Sequence, residues 1–271
     1  MPELPEVETV RRGIAPHLVG EKIDRMIIRQ RQLRWPISRT LPGAVANQCV
    51  HTVGRRAKYL LIELDDGHLI WHLGMSGSLR ILQNLPTPGT HDHVDVCLKR
   101  GATLRFRDPR RFGSLHWTCV DPLRHRLLKN LGPEPLGEEF SGEWLYARSR
   151  GRSGAVKNFL MDSKIVVGLG NIYASEALFE AGISPVRAAG RIGLDRYRRL
   201  AEVAKTILGQ AIKAGGTTLR DFTKAEGEPG YFAQELQVYG RAGEACSRCG
   251  EPVRSRIIGQ RSSFYCPQCQ N

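Results

Sequence analysis

The chain has 271 residues, with 40 Lys and Arg against 27 Asp and Glu, so its formal net charge is +13. With 41% hydrophobic and 25% charged residues it can bury a core, which excludes a disordered polycation. No apolar run reaches the roughly 20 residues that cross a bilayer. A folded chain this basic is expected to meet a polyanion, nucleic acid ahead of a membrane surface, because neutralising phosphates releases condensed counterions.

The opening Met1-Pro-Glu-Leu-Pro-Glu-Val-Glu is acidic and Pro-rich where a secretory signal needs a basic start and an apolar stretch, so a cytosolic protein is expected. Pro5, then Glu6 and Glu8, then Arg11 and Arg12, read as a helix that opens with Pro at its first position and runs into the teens. Short apolar runs follow at 26–28, 59–64, 68–73, 94–98 and 103–106, separated by turn clusters such as Asp65-Asp-Gly67 and Arg100-Gly101. That pattern predicts antiparallel β architecture, a sandwich or flattened barrel. Leu131-Gly-Pro-Glu-Pro-Leu136 has the composition of an interdomain connector. Helices are predicted at 142–149, 154–162, 171–181 and 194–214. Gly215-Gly216 and Gly227-Glu-Pro-Gly230 bracket a polar stretch, 217–228, that reads either as a loop over a site or as a plain surface loop.

The chain closes on Cys246-Ser-Arg-Cys249 and Cys266-Pro-Gln-Cys269, two C-x-x-C pairs sixteen residues apart, which is zinc-ribbon spacing. Two disulfides are the competing reading, disfavoured in a basic chain without a secretory signal. Four protein ligands leave no open position for a reacting water, so the one Zn2+ expected here is structural. Cys49, Cys97 and Cys119 stand alone in apolar segments and read as ordinary thiols.

Pro2 follows the initiator Met, and a small residue there normally permits Met removal, which leaves a secondary amine at the terminus. An α-amino group titrates at about pH 8, so a useful fraction is neutral and nucleophilic. Its attack on a sugar C1′ would give an iminium ion, an electron sink, with Glu3 and Glu6 beside it to handle protons. A flexible terminus is the alternative reading of the same residues.

The whole opening, taken with Arg56-Ala-Lys-Tyr59, His72-Leu-Gly-Met-Ser-Gly77, His91-Asp-His93, Asp108-Pro-Arg-Arg-Phe112, Val167-Gly-Leu-Gly-Asn-Ile-Tyr-Ala-Ser-Glu176, Gly230-Tyr-Phe-Ala-Gln-Glu-Leu-Gln-Val-Tyr239 and the ribbon, closely resembles the bacterial formamidopyrimidine-DNA glycosylases along the full chain. The resemblance implies an α+β protein. Residues 1–131 would form an N-terminal antiparallel β-sandwich catalytic domain carrying the N-terminal helix, 132–236 a helical helix-two-turn-helix module and 237–271 a zinc-ribbon hairpin finger, with damaged double-stranded DNA held between the halves. It further implies a monomer acting in the cytoplasm on the nucleoid, without membrane attachment.

For the site residues, the resemblance implies Pro2 as nucleophile, Glu3 as its acid/base partner and Lys58 as a catalytic lysine near a phosphate. One more phosphate contact beside Arg55 and Arg56 is the alternative for Lys58. Met75, Arg110 and Phe112 match the residues that fill the gap left by an extruded base; a core Met, a phosphate-binding Arg and a core Phe are the plainer readings. Arg261 matches the zinc-finger arginine, and a guanidinium that stays charged at all working pH suits a phosphate clamp better than a proton donor. His91, Arg152 and Asn171 match DNA contacts, Arg152 standing where the family has Lys, and Lys157 is expected near the everted base.

The implied activity is excision of oxidised purines, 8-oxoguanine and formamidopyrimidines, followed by β,δ-elimination at the abasic site. A related branch prefers oxidised pyrimidines, but Leu4 stands where that branch usually has Gly. A non-catalytic zinc-ribbon DNA-binding protein would explain the charge and the cysteines equally well, yet it gives the N-terminal proline and the void-filling set no purpose.

Overall fold

A computed structural model describes residues 2–83, 85–215 and 236–271; the stretch 217–228 lies outside them. The described chain forms two compact units that divide between Lys129 and Asn130.

The first unit begins with α1 (Leu4–Leu18), in which Pro5 occupies the second helical position, one later than predicted. Leu4, Val7, Val10, Ile14 and Leu18 recur at three- and four-residue spacing and are all buried, so one helical stripe faces the core. After β1 (Ile23–Ile28) and the short α2 (Leu41–Val45) come β2 (Val50–Arg56), β3 (Tyr59–Leu64), β4 (Gly67–His72), β5 (Ser78–Gln83), β6 (Asp92–Leu98), β7 (Ala102–Arg107) and β8 (Ser114–Thr118). They pair as two four-stranded antiparallel sheets, β1-β6-β7-β5 and β2-β3-β4-β8, the sandwich predicted from the alternating apolar runs. Leu60, Ile62 and Leu64 of one sheet, Val94, Val96 and Phe106 of the other, and Val7, Val10, Ile14 and Leu18 of α1 form a single hydrophobic core. Burial of such side chains contributes roughly 1.5–3 kcal/mol each, which holds the helix on the sheets. Strands β2, β5 and β8 escaped the apolar-run reading because they carry few consecutive apolar residues, as in Val50-His-Thr-Val-Gly-Arg-Arg56.

The second unit holds α3 (Gly142–Ser149), α4 (Val156–Met161), α5 (Asn171–Glu180) and α6 (Leu194–Lys213), close to the four predicted spans, and then the hairpin β9 (Arg254–Ile258) and β10 (Arg261–Tyr265). Ser141 caps α3, its Oγ accepting from Trp144 N at 3.1 Å. The ribbon shares a core with the helices, since Val238, Cys246, Val253 and Cys266 pack on Phe179 of α5. Among the described residues no helix is long and apolar enough to cross a membrane.

Candidate functional site

In the first unit, the site starts at the head of α1. Pro2 and Glu3 are buried rather than frayed. Glu3 N donates to Glu6 Oε2 at 2.7 Å, and the Glu3 side chain accepts from the backbone of Glu6, a reciprocal capping box that fixes the terminus against the helix. Further along α1, Glu8 accepts from Arg11 (2.7 and 3.0 Å), Arg12 (2.8 Å) and Arg55 of β2 (3.2 Å). Burial alone would raise the Glu8 carboxyl, but the hydrogen bonds and charge of these arginines prevail and hold it at about 2. Arg55 also donates to Ala57 O at 2.7 Å. This chain of contacts ties the Pro2-bearing helix to the two-residue β2–β3 turn that carries Lys58.

Lys58 precedes Tyr59, whose ring lies 4.7 Å from that of His72 across the strand pair. Burial, then the charges of Lys58 and Arg34, push His72 down to about 4, so its imidazole is neutral at working pH. Its Nδ1 accepts from Gly74 N at 2.9 Å, which braces the turn leading to Met75.

Met75 and Phe112 are 37% and 44% exposed, apolar tips in a unit that buries most of its large apolar side chains. Their loops interlock. Gly74 has φ +70, and a Cβ there would lie 2.4 Å from both Gly113 N and the carbonyl carbon of Phe112, so the two backbones touch where only hydrogen fits. Asp108, wholly buried, is the hub: Oδ1 accepts from Ser76 Oγ (2.8 Å) and Oδ2 from Gly113 N (2.8 Å), while Ser76 Oγ accepts from Arg110 N (3.2 Å). The Arg110 guanidinium stacks 4.9 Å above the Phe112 ring. His91 joins through its carbonyl, which accepts from Asp108 N at 3.0 Å, and His93 Nε2 meets Asp108 O at 2.8 Å. Met75, Arg110 and Phe112 are thereby brought together on a buttressed pair of loops, to which the segment ending in His91 is joined just ahead of β6. In the sequence Asp108 is one member of the Asp-Pro-Arg-Arg-Phe motif, and its one signal there is the Asp-Pro step.

In the second unit, Asn171 opens α5 and its Nδ2 donates to Ser262 O at 2.9 Å. That leaves one further amide hydrogen for a ligand, while Oδ1 is buried with no partner among the described residues. Lys157 is wholly buried, and its Nζ donates to Ser263 Oγ (2.6 Å) and Ser262 O (3.2 Å). The structure therefore sets this lysine against the ribbon hairpin, where it fixes the strand that starts with exposed Arg261. Glu176 does the same for the entry to the ribbon, accepting from the backbone N–H groups of Gln237 (2.8 Å), Val238 (3.1 Å) and Tyr239 (2.8 Å). Burial outweighs those donors and raises its carboxyl above the usual range. Arg152 stands apart from these groups, stacked over Phe159 with its Nε on Arg148 O at 2.9 Å.

The four ribbon cysteines converge, all Sγ atoms lying within 4.8 Å of one another, with Cys246–Cys269 at 3.9 Å and Cys249–Cys266 at 3.5 Å. Tetrahedral zinc with Zn–S near 2.3 Å needs sulfurs roughly 3.8 Å apart, so this soft donor set fits one structural Zn2+.

Three family models match the chain in order: the formamidopyrimidine-DNA glycosylase N-terminal domain over residues 1–115, the formamidopyrimidine-DNA glycosylase H2TH domain over 131–223, and the zinc finger found in FPG and IleRS over 243–271. Proteins named formamidopyrimidine-DNA glycosylase from Alkalilimnicola ehrlichii and Ectopseudomonas mendocina are 58% and 60% identical, each covering all of both chains. Among solved structures, the MutM (FPG) protein of Thermus thermophilus is 36% identical with a TM-score of 0.89 over 99% of this chain and 98% of its own. A Lactococcus lactis FPG mutant in complex with a Fapy-dG-containing DNA is 34% identical with a TM-score of 0.92 over the whole of both chains. Identity at this level along the entire length, together with a buried Pro2-Glu3 head, interlocked loops and a four-cysteine ribbon, places the chain in the formamidopyrimidine-DNA glycosylase family.

Proposed function

We propose that the protein is a bifunctional DNA glycosylase and AP lyase of base excision repair, which removes oxidised purines from duplex DNA and then cuts the abasic strand, acting as a monomer on the chromosome in the cytoplasm. The observation that carries this reading is the buried Pro2-Glu3 pair at the head of α1, where the capping box of Glu3 and Glu6 anchors the residue that becomes the terminus once Met1 is removed.

With Met1 removed, the Pro2 nitrogen is a secondary amine. Its lone pair bonds to C1′ of the damaged nucleotide, the electron pair of the breaking glycosidic bond departs with the base, which gains a proton, and the new ammonium gives up its own N–H proton. Opening of the sugar, with the C1′–O4′ electrons and a proton going to O4′, yields the iminium. Loss of a C2′ proton sends electrons towards the 3′ carbon and expels the 3′ phosphate; a second elimination expels the 5′ phosphate and completes β,δ-cleavage. Glu3 is the acid/base group for these transfers, and Lys58 and Arg261 neutralise the departing phosphates.

A base inside a duplex must be extruded before any of this, at a cost of a few kcal/mol in lost stacking and pairing. Met75 and Phe112 fill the gap, and Arg110 bonds the orphaned partner base. His91, Arg152 and Asn171 hold the backbone by phosphate contacts. Zinc supplies no chemistry; it keeps rigid the hairpin that presents Arg261.

Borohydride reduction on lesion-containing duplex tests the proposal. A covalent adduct through Pro2 is expected, Pro2→Gly retains part of the trapping as a primary amine, and an N-terminal extension abolishes it. Trapping by the extended protein at the native level would move the chemistry to another amine, Lys58 first. Purine against pyrimidine lesions in the same assay decides the substrate branch.

A further inference from the structure

Two irregular segments of the second unit are zipped together. Gly190 N donates to Arg152 O (2.9 Å), Ala189 N to Gly154 O (2.9 Å) and Val156 N to Arg187 O (2.8 Å), and Ala155 and Ala188 form an isolated antiparallel bridge. Backbone tied at this many points is a rigid platform. The fit requires Gly190, because a Cβ there would lie 2.8 Å from Arg152 O.

The two segments line an open pocket of about 760 Å³; among the described residues its lining includes three arginines, Arg152, Arg187 and Arg191, and no acidic residue. Arg187 is half-buried, and among the described residues its Nε has no hydrogen-bond partner, so its charge goes uncompensated within the protein. The uncompensated charge is felt next door, where burial first and then repulsion from Arg187 and Arg199 lower Arg196. Arg152 is pre-oriented by Arg148 O and by the Phe159 ring. The basic surface continues through Arg148 and Arg150, stacked on Trp144 at 4.3 Å and Tyr146 at 3.9 Å.

We propose that this pocket binds a backbone phosphate of duplex DNA at a nucleotide other than the lesion, so that Arg187 and Arg191 join Arg152 in setting affinity. Planar guanidinium forks match phosphate oxygens bidentately. A run of arginines leading into the pocket suits a polymer of phosphates rather than one isolated anion. The proposal rests on the duplex-DNA reading above and adds the residues and place of one contact.

The test is binding of an undamaged short duplex to the full-length, zinc-loaded protein across about 50 to 200 mM salt. Arg187→Gln with Arg191→Gln should make the log–log salt slope shallower by about 0.9, one phosphate's worth, and weaken binding about tenfold at the lower salt. Arg187→Lys with Arg191→Lys should restore the slope, because charge is kept. Ser153 lines the pocket from an exposed position, so Ser153→Glu places a carboxylate there without disturbing the core, and it should weaken binding likewise. It decides the matter if the double glutamine variant does not fold. Wild-type slope and affinity in Ser153→Glu overturn the pocket. If the unmodified protein shows no salt-dependent duplex binding at all, the duplex-DNA reading itself falls.

Discussion

Replacing Gly74 by Ala should cost stability and activity together, and the structure separates the two causes. At φ +70 any Cβ is strained, and here the added carbon would also lie 2.4 Å from backbone atoms of Phe112 and Gly113, which cannot swing aside as a side chain can. Gly101, on the β6–β7 turn, is the control: its φ is +95, yet a Cβ there meets nothing within 4 Å. Gly101→Ala should therefore cost only backbone strain, about 1 kcal/mol. Gly74→Ala adds overpacking of roughly 1–3 kcal/mol, which totals about 2–4 kcal/mol and lowers the melting temperature by roughly 5–10 °C. Relief of the overlap must move the Met75 loop away from the Phe112 loop. Excision from a lesion duplex should then fall on the order of 10²-fold, the usual penalty for misplacing positioning groups by about 1 Å. Thermal melts of both variants and single-turnover excision make the measurement. Equal destabilisation by the two substitutions, or full excision by Gly74→Ala, would refute the claim that backbone contact between these loops holds the void-filling residues in place.

Acid should destabilise the protein in two steps. His72, depressed from 6.5 to about 4, is neutral in the folded state, so its contribution of about 3 kcal/mol is complete above pH 6.5 and is lost as pH falls through 4. Glu8, depressed from 4.5 to about 2, contributes a smaller amount, reduced by solvent screening of its ion pairs, that is complete above pH 4.5 and is lost as pH falls through 2; denaturant titrations across pH should show His72→Asn abolishing only the upper step. Chelation of zinc should remove about 10–16 kcal/mol of binding energy from the ribbon and impair duplex binding before trapping chemistry, read by titrating chelator against both; equal loss of the two at every zinc occupancy would contradict a purely structural metal. Glu176→Gln exchanges an acceptor oxygen for an amide that faces the N–H groups of residues 237–239, which should cost about 1–3 kcal/mol and speed proteolysis of the ribbon, measured by limited digestion.

Sequence alone determined what depends on short spacing. The two C-x-x-C pairs named the ribbon because two thiolates three residues apart suit one ion, α1 was legible from Pro5, the acids of its first turn and the bases after them, and the four C-terminal helices from local pattern. Glu8 with Arg11 and Arg12 was equally local. Arg55, which completes that cluster from 47 residues away, was not. Nor could periodicity disclose Asp108 as the hub of two loops, because its partner Ser76 is 32 positions distant and meets it only once both sheets have closed. Lys157 makes the point most sharply. A lysine is expected at the surface, and only the packing of α4 on the ribbon hairpin, with Ser262 and Ser263 ready to accept from its ammonium, makes full burial tolerable. Chemistry that one helix turn or one knuckle can hold is written in the order of residues; chemistry assembled from distant strands and loops exists only after folding has offset the entropy of bringing them together.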